Sequence, residues 1–155
     1  MTNEEIILKL IEKNITVSTA ESCTGGSLGK IITSVPGASS IYGYGFITYA
    51  NEAKENLLGV SHKTLADFGA VSYQTAREMA EGARRVSKSD IAVSTTGIAG
   101  PGGGTDEKPV GLVYIAISSE NGTSYKKLNL SGSRDCIRQS TCDHVFRLIE
   151  ENISI

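Results

Sequence analysis

A serine hydroxyl cleaves an amide or ester only with a base to take its proton and donors to hold the oxyanion. Ser22 is such a hydroxyl, set in TAESCTGGSLGK (Thr19 to Lys30) between Glu21 and Cys23 and followed by Thr24, Gly25 and Gly26. Ile15 and Val17 lead in, and Leu28, Ile31 and Ile32 follow at helical spacing. That order reads as strand, tight turn and helix N-terminus, where backbone amides are unpaired and point at whatever lies above them. Spacing alone favours capping by Ser22 or Thr24 over nucleophilic attack. The flanks Ala20 and Thr24 are not those of a G-x-S-x-G elbow. Cys23 is the rival nucleophile: a thiol at a helix start is acidified, although packing is the commoner role of a small buried cysteine.

Neither histidine suits a serine triad. His62 lies in a polar SHKT turn, and His144 sits mid-helix, three residues from Thr141. Lysine is the other base known for serine. Lys54, in TYANEAK, follows an apolar strand; desolvation would lower its pKa toward the range a base needs. The competing role is a solvated helix lysine. Tyr49 either positions Lys54, relays a proton or packs as a strand aromatic. Gly97 to Gly104 lacks both the Walker and the dinucleotide pattern. A run of free amides after a strand still suits a phosphate or an oxyanion, with a plain surface loop as the alternative. Asp106, Glu107 and Lys108 read as a solvated charge run. Arg134 and Arg138 stand four apart in the first turns of a helix and form a candidate phosphate clamp, or else pair with Asp135 and nearby glutamates.

The elements that must position these groups follow from periodicity. Thr2 and Glu5 fit a capping box ahead of Ile6, Ile7, Leu10 and Ile11. Ile15 to Ala20 reads as a buried strand, followed by a helix to about Thr33. Ile41 to Ala50 reads as a strand whose glycines suggest a bulge or close approach. Asn51 to Leu58 is helical and stops at Gly59. Ser61 caps a short helix and Ser72 a longer one carrying Ala76, Met79, Ala80, Ala83 and Val86. Asp90 to Thr96 and Val110 to Ser118 are strands; Asn121-Gly122 predicts a hairpin to Thr123–Leu130. Ser133 caps a last helix with Ile137, Thr141, Val145 and Leu148 inward. Alternating helices and strands ending in one hairpin predict a three-layer α/β/α sandwich with a mixed, mostly parallel sheet, in one domain over residues 1–155. Ligands of such sheets bind beyond the strands' carboxyl ends, where both the Ser22 turn and the glycine-rich loop fall.

The totals bound the function. The chain has 155 residues, 39% hydrophobic and 21% charged, the composition of a globular domain rather than a disordered one. A net charge of −2, with basic residues dispersed, argues against nucleic acid as a partner and makes any anion site local. No apolar run reaches membrane-spanning length, and MTNEE is unlike a signal peptide. The odd set of three cysteines, with Cys136 and Cys142 six apart, predicts neither disulfides nor a zinc site and suggests a reducing cytoplasm.

Four stretches together (TAESCTGG, YGFITYANEAKENLLGV, TTGIAGPGGGTDEKPVG and SGSRDCIRQST) resemble the CinA C-terminal domain family, in order and over essentially the whole chain. The active members of that family are nicotinamide-mononucleotide deamidases (PncC). The resemblance implies an anticodon-binding-domain-like α/β/α fold and hydrolysis of the carboxamide of nicotinamide mononucleotide, in pyridine-nucleotide salvage. It implies no metal or other cofactor, and a homodimer or higher homo-oligomer. It assigns Ser22 as nucleophile, Lys54 as base with Tyr49 as its partner, and Arg138 as a further site residue. Thr24, Gly25 and Gly26, Gly100, Gly102, Gly103, Gly104 and Thr105, and Arg134 beside Arg138, would contact substrate or stabilise the oxyanion. Gly43-Tyr44-Gly45 and Cys142 are less typical of the family. The N-terminal domain of longer CinA proteins, and its pyrophosphatase activity, are expected to be absent. The alternative is an inactive nucleotide-binding or interaction module, linked to competence or DNA damage.

Overall fold

β1, Val17–Glu21, is buried along its whole length, as the strand between two helical layers must be. The computed structural model describes residues 1–155. It places β1 between β2, Gly45–Ile47, and β3, Ile91–Gly97, both parallel to it. β4, Leu112–Ser119, runs antiparallel to β3, and β5, Gly122–Asn129, antiparallel to β4. The sheet order is β2-β1-β3-β4-β5, so β4 alone runs against the other strands. The fold is the expected mixed-sheet α/β architecture with helices on both sides.

Alternation along the strands separates two dissimilar layers. One face carries Val17, Ile91, Val93, Ile115 and Ile117 and packs a large apolar core against α1 (Asn3–Glu12), α2 (Ser27–Thr33) and α6 (Arg134–Asn152). The other carries Ala20, Ala92, Ser94 and Ala116. There α5 (Tyr73–Ser87) presents Ala76, Met79, Ala80 and Ala83, flanked by α3 (Asn51–Leu58) and α4 (His62–Phe68). Small residues face small residues, so helix and sheet approach closely. Ser94 Oγ even donates to the Ala76 carbonyl at 2.6 Å. Cys23 and Cys142 are buried, Cys136 is exposed, and all three are free.

The helices begin where the sequence indicates. Thr2 and Glu5 form the capping box of α1, and Ser61, Ser72 and Ser133 cap α4, α5 and α6. Two elements differ. Only residues 45–47 of the predicted strand 41–50 pair with β1. Before them a 3-10 turn spans Ala38–Ser40, and Tyr42 folds inward to bond Thr19 Oγ1 at 2.6 Å. A Cβ at Gly45 would lie 2.1 Å from that tyrosine oxygen, so glycine keeps the edge strand in place. The hairpin turn is Glu120-Asn121, because Gly122 already pairs with Ser119. Its φ of +112° opens β5 rather than completing a two-residue turn.

Because β1, β2, β3 and β5 share a direction, one edge of the sheet gathers the Ser22 turn, the β2–α3 link, the loop after β3 and the start of α6. No helix is long and apolar enough to cross a membrane.

Candidate active site

The strand alternation continues past β1 and divides its last two polar side chains. Glu21 goes to the α2 side and Ser22 to the α3 side, where Lys54 waits. Ser22 is 9% exposed and its amide donates to the Thr95 carbonyl of β3 at 3.0 Å, which pins the turn to the sheet. Lys54 stands one turn into α3 and is 1% exposed, a burial that costs a lysine several kcal/mol if it stays charged. Its Nζ lies 3.1 Å from Ser22 Oγ, 2.7 Å from the Thr48 carbonyl and 3.3 Å from the Tyr49 carbonyl. No carboxylate pairs with it. Burial lowers its pKa from the ordinary lysine value; only an ionised Cys23 would act in the other direction.

That coordination suits an amine that loses its proton. A neutral lysine keeps two N–H donors and gains one lone pair. The two carbonyls take the donors, and the lone pair is left for the Ser22 O–H. Thr48 and Tyr49 therefore act through the main chain.

Tyr49 differs from expectation in this respect. Its side chain is 63% exposed, and its phenol oxygen accepts from Arg134 at 3.1 Å instead of meeting Lys54. Arg134 also donates to the Gly100 carbonyl at 2.7 Å, tying the glycine-rich loop to the β2–α3 link. Arg138 donates to the Thr24 carbonyl at 3.0 Å, and its Nε is buried without a partner. From α6, Arg138 thus reaches the Ser22 turn, while Arg134 reaches the loop after β3 and the β2–α3 link.

The turn amides are not generally free, contrary to the reading of an open helix start. The N-cap position of α2 is Gly26, which has no side chain to cap the helix. Glu21, 2% exposed, supplies the cap from β1. Its Oε1 accepts from the Gly26 and Leu28 amides at 3.2 and 2.9 Å, and its Oε2 from Gly29 at 3.1 Å. Thr24 Oγ1 donates to Glu21 Oε1 at 2.6 Å and bonds Thr95 Oγ1 at 2.8 Å, so this hydroxyl faces inward rather than toward a ligand. The Gly25 amide donates to the Ser22 carbonyl. Only the Cys23 and Thr24 amides in this turn make no hydrogen bond within the chain.

Cys23 takes the packing role, the commoner of its two readings, and not that of an acidified nucleophile. It packs into the large core, and burial pushes its thiol up to about 11, so it stays protonated at neutral pH. In the loop after β3, Gly102, Gly103 and Gly104 are exposed with unpaired amides. The Thr105 amide and hydroxyl are committed to Lys108. No hydrogen bond ties Gly102–Thr105 to Ser22. His62 meets Glu55 at 3.0 Å, away from Ser22.

Sequence reasoning missed the work of Glu21, Thr95 and the Thr48 carbonyl. For Glu21 a signal existed: a helix starting on Gly-Gly lacks its own cap and needs an acceptor from elsewhere. Thr95 and Thr48 carry none, since strand register alone brings them in.

Fold and site together define an α/β domain with a buried serine–lysine pair beyond the carboxyl ends of its parallel strands. The chain belongs to the CinA family: the CinA C-terminal domain matches residues 1–153. A relative in Caldanaerobacter subterraneus subsp. tengcongensis, provisionally named a competence-damage inducible protein, is 56% identical over 147 residues, covering 94% of this chain and 36% of the relative. The chain thus spans about a third of the curated relatives it matches. Competence/damage inducible protein CihA from Agrobacterium tumefaciens has the same fold, with a TM-score of 0.92 at 42% identity over 96% of this chain and 94% of that one. A CinA superfamily protein from Enterobacter cloacae matches with a TM-score of 0.93 at 32% identity, over 99% and 94% of the two chains.

Proposed function

We propose that this domain is a serine–lysine amidase that hydrolyses the carboxamide of nicotinamide mononucleotide to the carboxylate and ammonia. One observation carries the reading: a lysine that is 1% exposed, without a carboxylate partner, has its Nζ 3.1 Å from the oxygen of Ser22. A structural lysine gains nothing from such a place, because desolvation opposes its charge. A base gains a usable lone pair.

Neutral Lys54 takes the Ser22 proton as Oγ bonds to the carboxamide carbon. The carbonyl π-pair moves to oxygen, and donors beside the turn hold the oxyanion. The pair returns, the C–N bond breaks, and Lys54 hands its proton to the leaving nitrogen, which departs as ammonia. Lys54 then deprotonates a water that attacks the acyl ester, and the proton returns to Ser22 Oγ. The phosphate would be held by donors of Arg134 and Arg138 and by the open amides of Gly102–Gly104. Binding energy from that remote anion lowers the barrier when it is realised in the transition state.

The test is ammonia release from nicotinamide mononucleotide. Lys54→Ala is expected to lose on the order of 10²–10⁴ in rate, the contribution of a general base. Ser22→Ala is expected to fall to background, whereas Cys23→Ala turns over. A folded Ser22→Ala chain with full rate would sink the nucleophile assignment. Turnover of nicotinamide riboside equal to that of the nucleotide would remove the phosphate clamp. A module that only binds the nucleotide would show binding without ammonia.

A further inference from the structure

Glu21 is the most buried acid at this edge of the sheet, and the reaction just described gives it no task. Its carboxylate is 2% exposed and saturated by donors: three amides of the α2 start and the Thr24 hydroxyl. It makes no ion pair with Arg138 or Lys54. A buried charge is costly unless fully bonded, and here four donors converge on it.

We propose that Glu21 is the positioning residue of the nucleophile turn, and that by capping α2 it leaves the Cys23 and Thr24 amides as the oxyanion-holding pair. The proposal rests on the amidase reading and names what that reading leaves open. Three facts support it. First, the carboxylate removes Gly26, Leu28 and Gly29 from the list of possible donors, and the Ser22 and Thr24 carbonyls remove Gly25 and Ser27. The remaining donors directly follow the nucleophile in sequence, where an oxyanion formed on its acyl carbon is within reach of them.

Second, Thr24 is gripped on both sides. Its hydroxyl links Glu21 to Thr95, and Thr95 also accepts the Ser22 amide through its main chain. Nucleophile, oxyanion donor and central strand therefore move as one unit, which an oxyanion hole needs in order to cost no reorganisation during reaction. Third, the carboxylate neutralises the positive end of α2. An anionic substrate group finds no attraction there and is left to Arg134 and Arg138, so the reacting amide rather than the phosphate settles against the turn.

Glutamine at position 21 has one acceptor oxygen where four donors converge, and its NH₂ opposes at least one N–H. The turn loosens while Ser22, Lys54 and both arginines keep their identities. Glu21→Gln and Thr24→Val, with Thr24→Ser as the conservative control, are compared with wild type in two assays. One is ammonia release from nicotinamide mononucleotide. The other is covalent labelling of Ser22 by a fluorophosphonate, located by mass spectrometry, whose phosphoryl oxygen needs the same donors. Glu21→Gln and Thr24→Val are expected to lose at least tenfold in kcat and in labelling rate, with KM within about twofold and the pH midpoint of Lys54 unmoved. Thr24→Ser, which restores the hydroxyl, is expected to recover most of what Thr24→Val loses.

A folded Glu21→Gln or Thr24→Val chain that labels and turns over at the wild-type rate overturns the proposal. So does a loss confined to KM or to the pH midpoint. Should Glu21→Gln fail to fold, the two Thr24 variants decide. Wild type that is labelled at Ser22 but releases no ammonia removes the amidase reading alone, and the labelling rates still judge Glu21. Wild type that is not labelled at all overturns both.

Discussion

Ser22 and Cys23 are adjacent in sequence and opposite in chemistry. Ser22 Oγ meets a buried amine, while the Cys23 thiol sits in the core and is pushed up to about 11. Side-chain alternation is the cause, not the difference between oxygen and sulfur. Lys54 completes the contrast, because desolvation lowers its pKa from the ordinary lysine value. Activity should therefore rise with pH as Lys54 loses its proton, with a midpoint below about 10.4, the unperturbed value. A pH–rate profile on nicotinamide mononucleotide checks this. Lys54→Arg, whose guanidinium stays charged throughout, is expected to be inactive across the whole range. A rising limb retained in Lys54→Arg would mean that another group is the base.

At the scale of elements, α3 is the piece that matters most, because it delivers Lys54. Its far end, Leu58, packs under α5, where Gly82 permits the contact. A Cβ there would lie 1.9 Å from the Leu58 carbonyl oxygen, which also accepts from Arg85 at 2.9 Å. Two effects compete in Gly82→Ala. Helix propensity gains about 1 kcal/mol. Overpacking against a backbone atom costs about 1–3 kcal/mol or more, and here no side chain can swing away. The clash should win by about 1–2 kcal/mol in urea unfolding, with a fall in kcat as α3 shifts. An unchanged or raised midpoint would show that α3 and α5 separate freely. The helices were legible because their caps are local: Thr2 with Glu5, Ser61, Ser72, Ser133 and Gly59 all act within a few residues. The short edge strand was not, because the length of β2 depends on Tyr42 turning inward to Thr19, a partner 23 positions away.

For the molecule as a whole, the core sets a limit at alkaline pH. Burial pushes the Cys142 thiol up to about 12 and that of Cys23 up to about 11. In the unfolded chain both ionise near pH 8.5. Between those values the folded state binds more protons than the unfolded state, so stability is lost as pH rises. Lys54 works in the opposite sense, since the folded state releases its proton first. Cys142→Ala isolates the thiol: the thermal midpoint should fall less steeply between about pH 9 and pH 11 than in wild type. Equal slopes would count against a protonated Cys142 thiol in the native core.

The amino-acid sequence by itself determined the helices, the strands of the sheet apart from the short edge strand β2, the family motifs and the residue types a serine amidase needs. These rest on periodicity, caps and turn residues, which are short-range properties of the chain. It also placed Ser22 and the glycine-rich loop after strands, hence at one edge of the sheet. Only the tertiary structure decided which amides of the Ser22 turn are free, that Tyr49 serves Lys54 through its carbonyl, and that Cys23 faces the core. Those outcomes depend on where Glu21, Thr95 and Thr48 lie once β1, β2 and β3 are in register. Register is a property of pairing between distant segments, and a shift of one residue would send every one of these side chains to the other face.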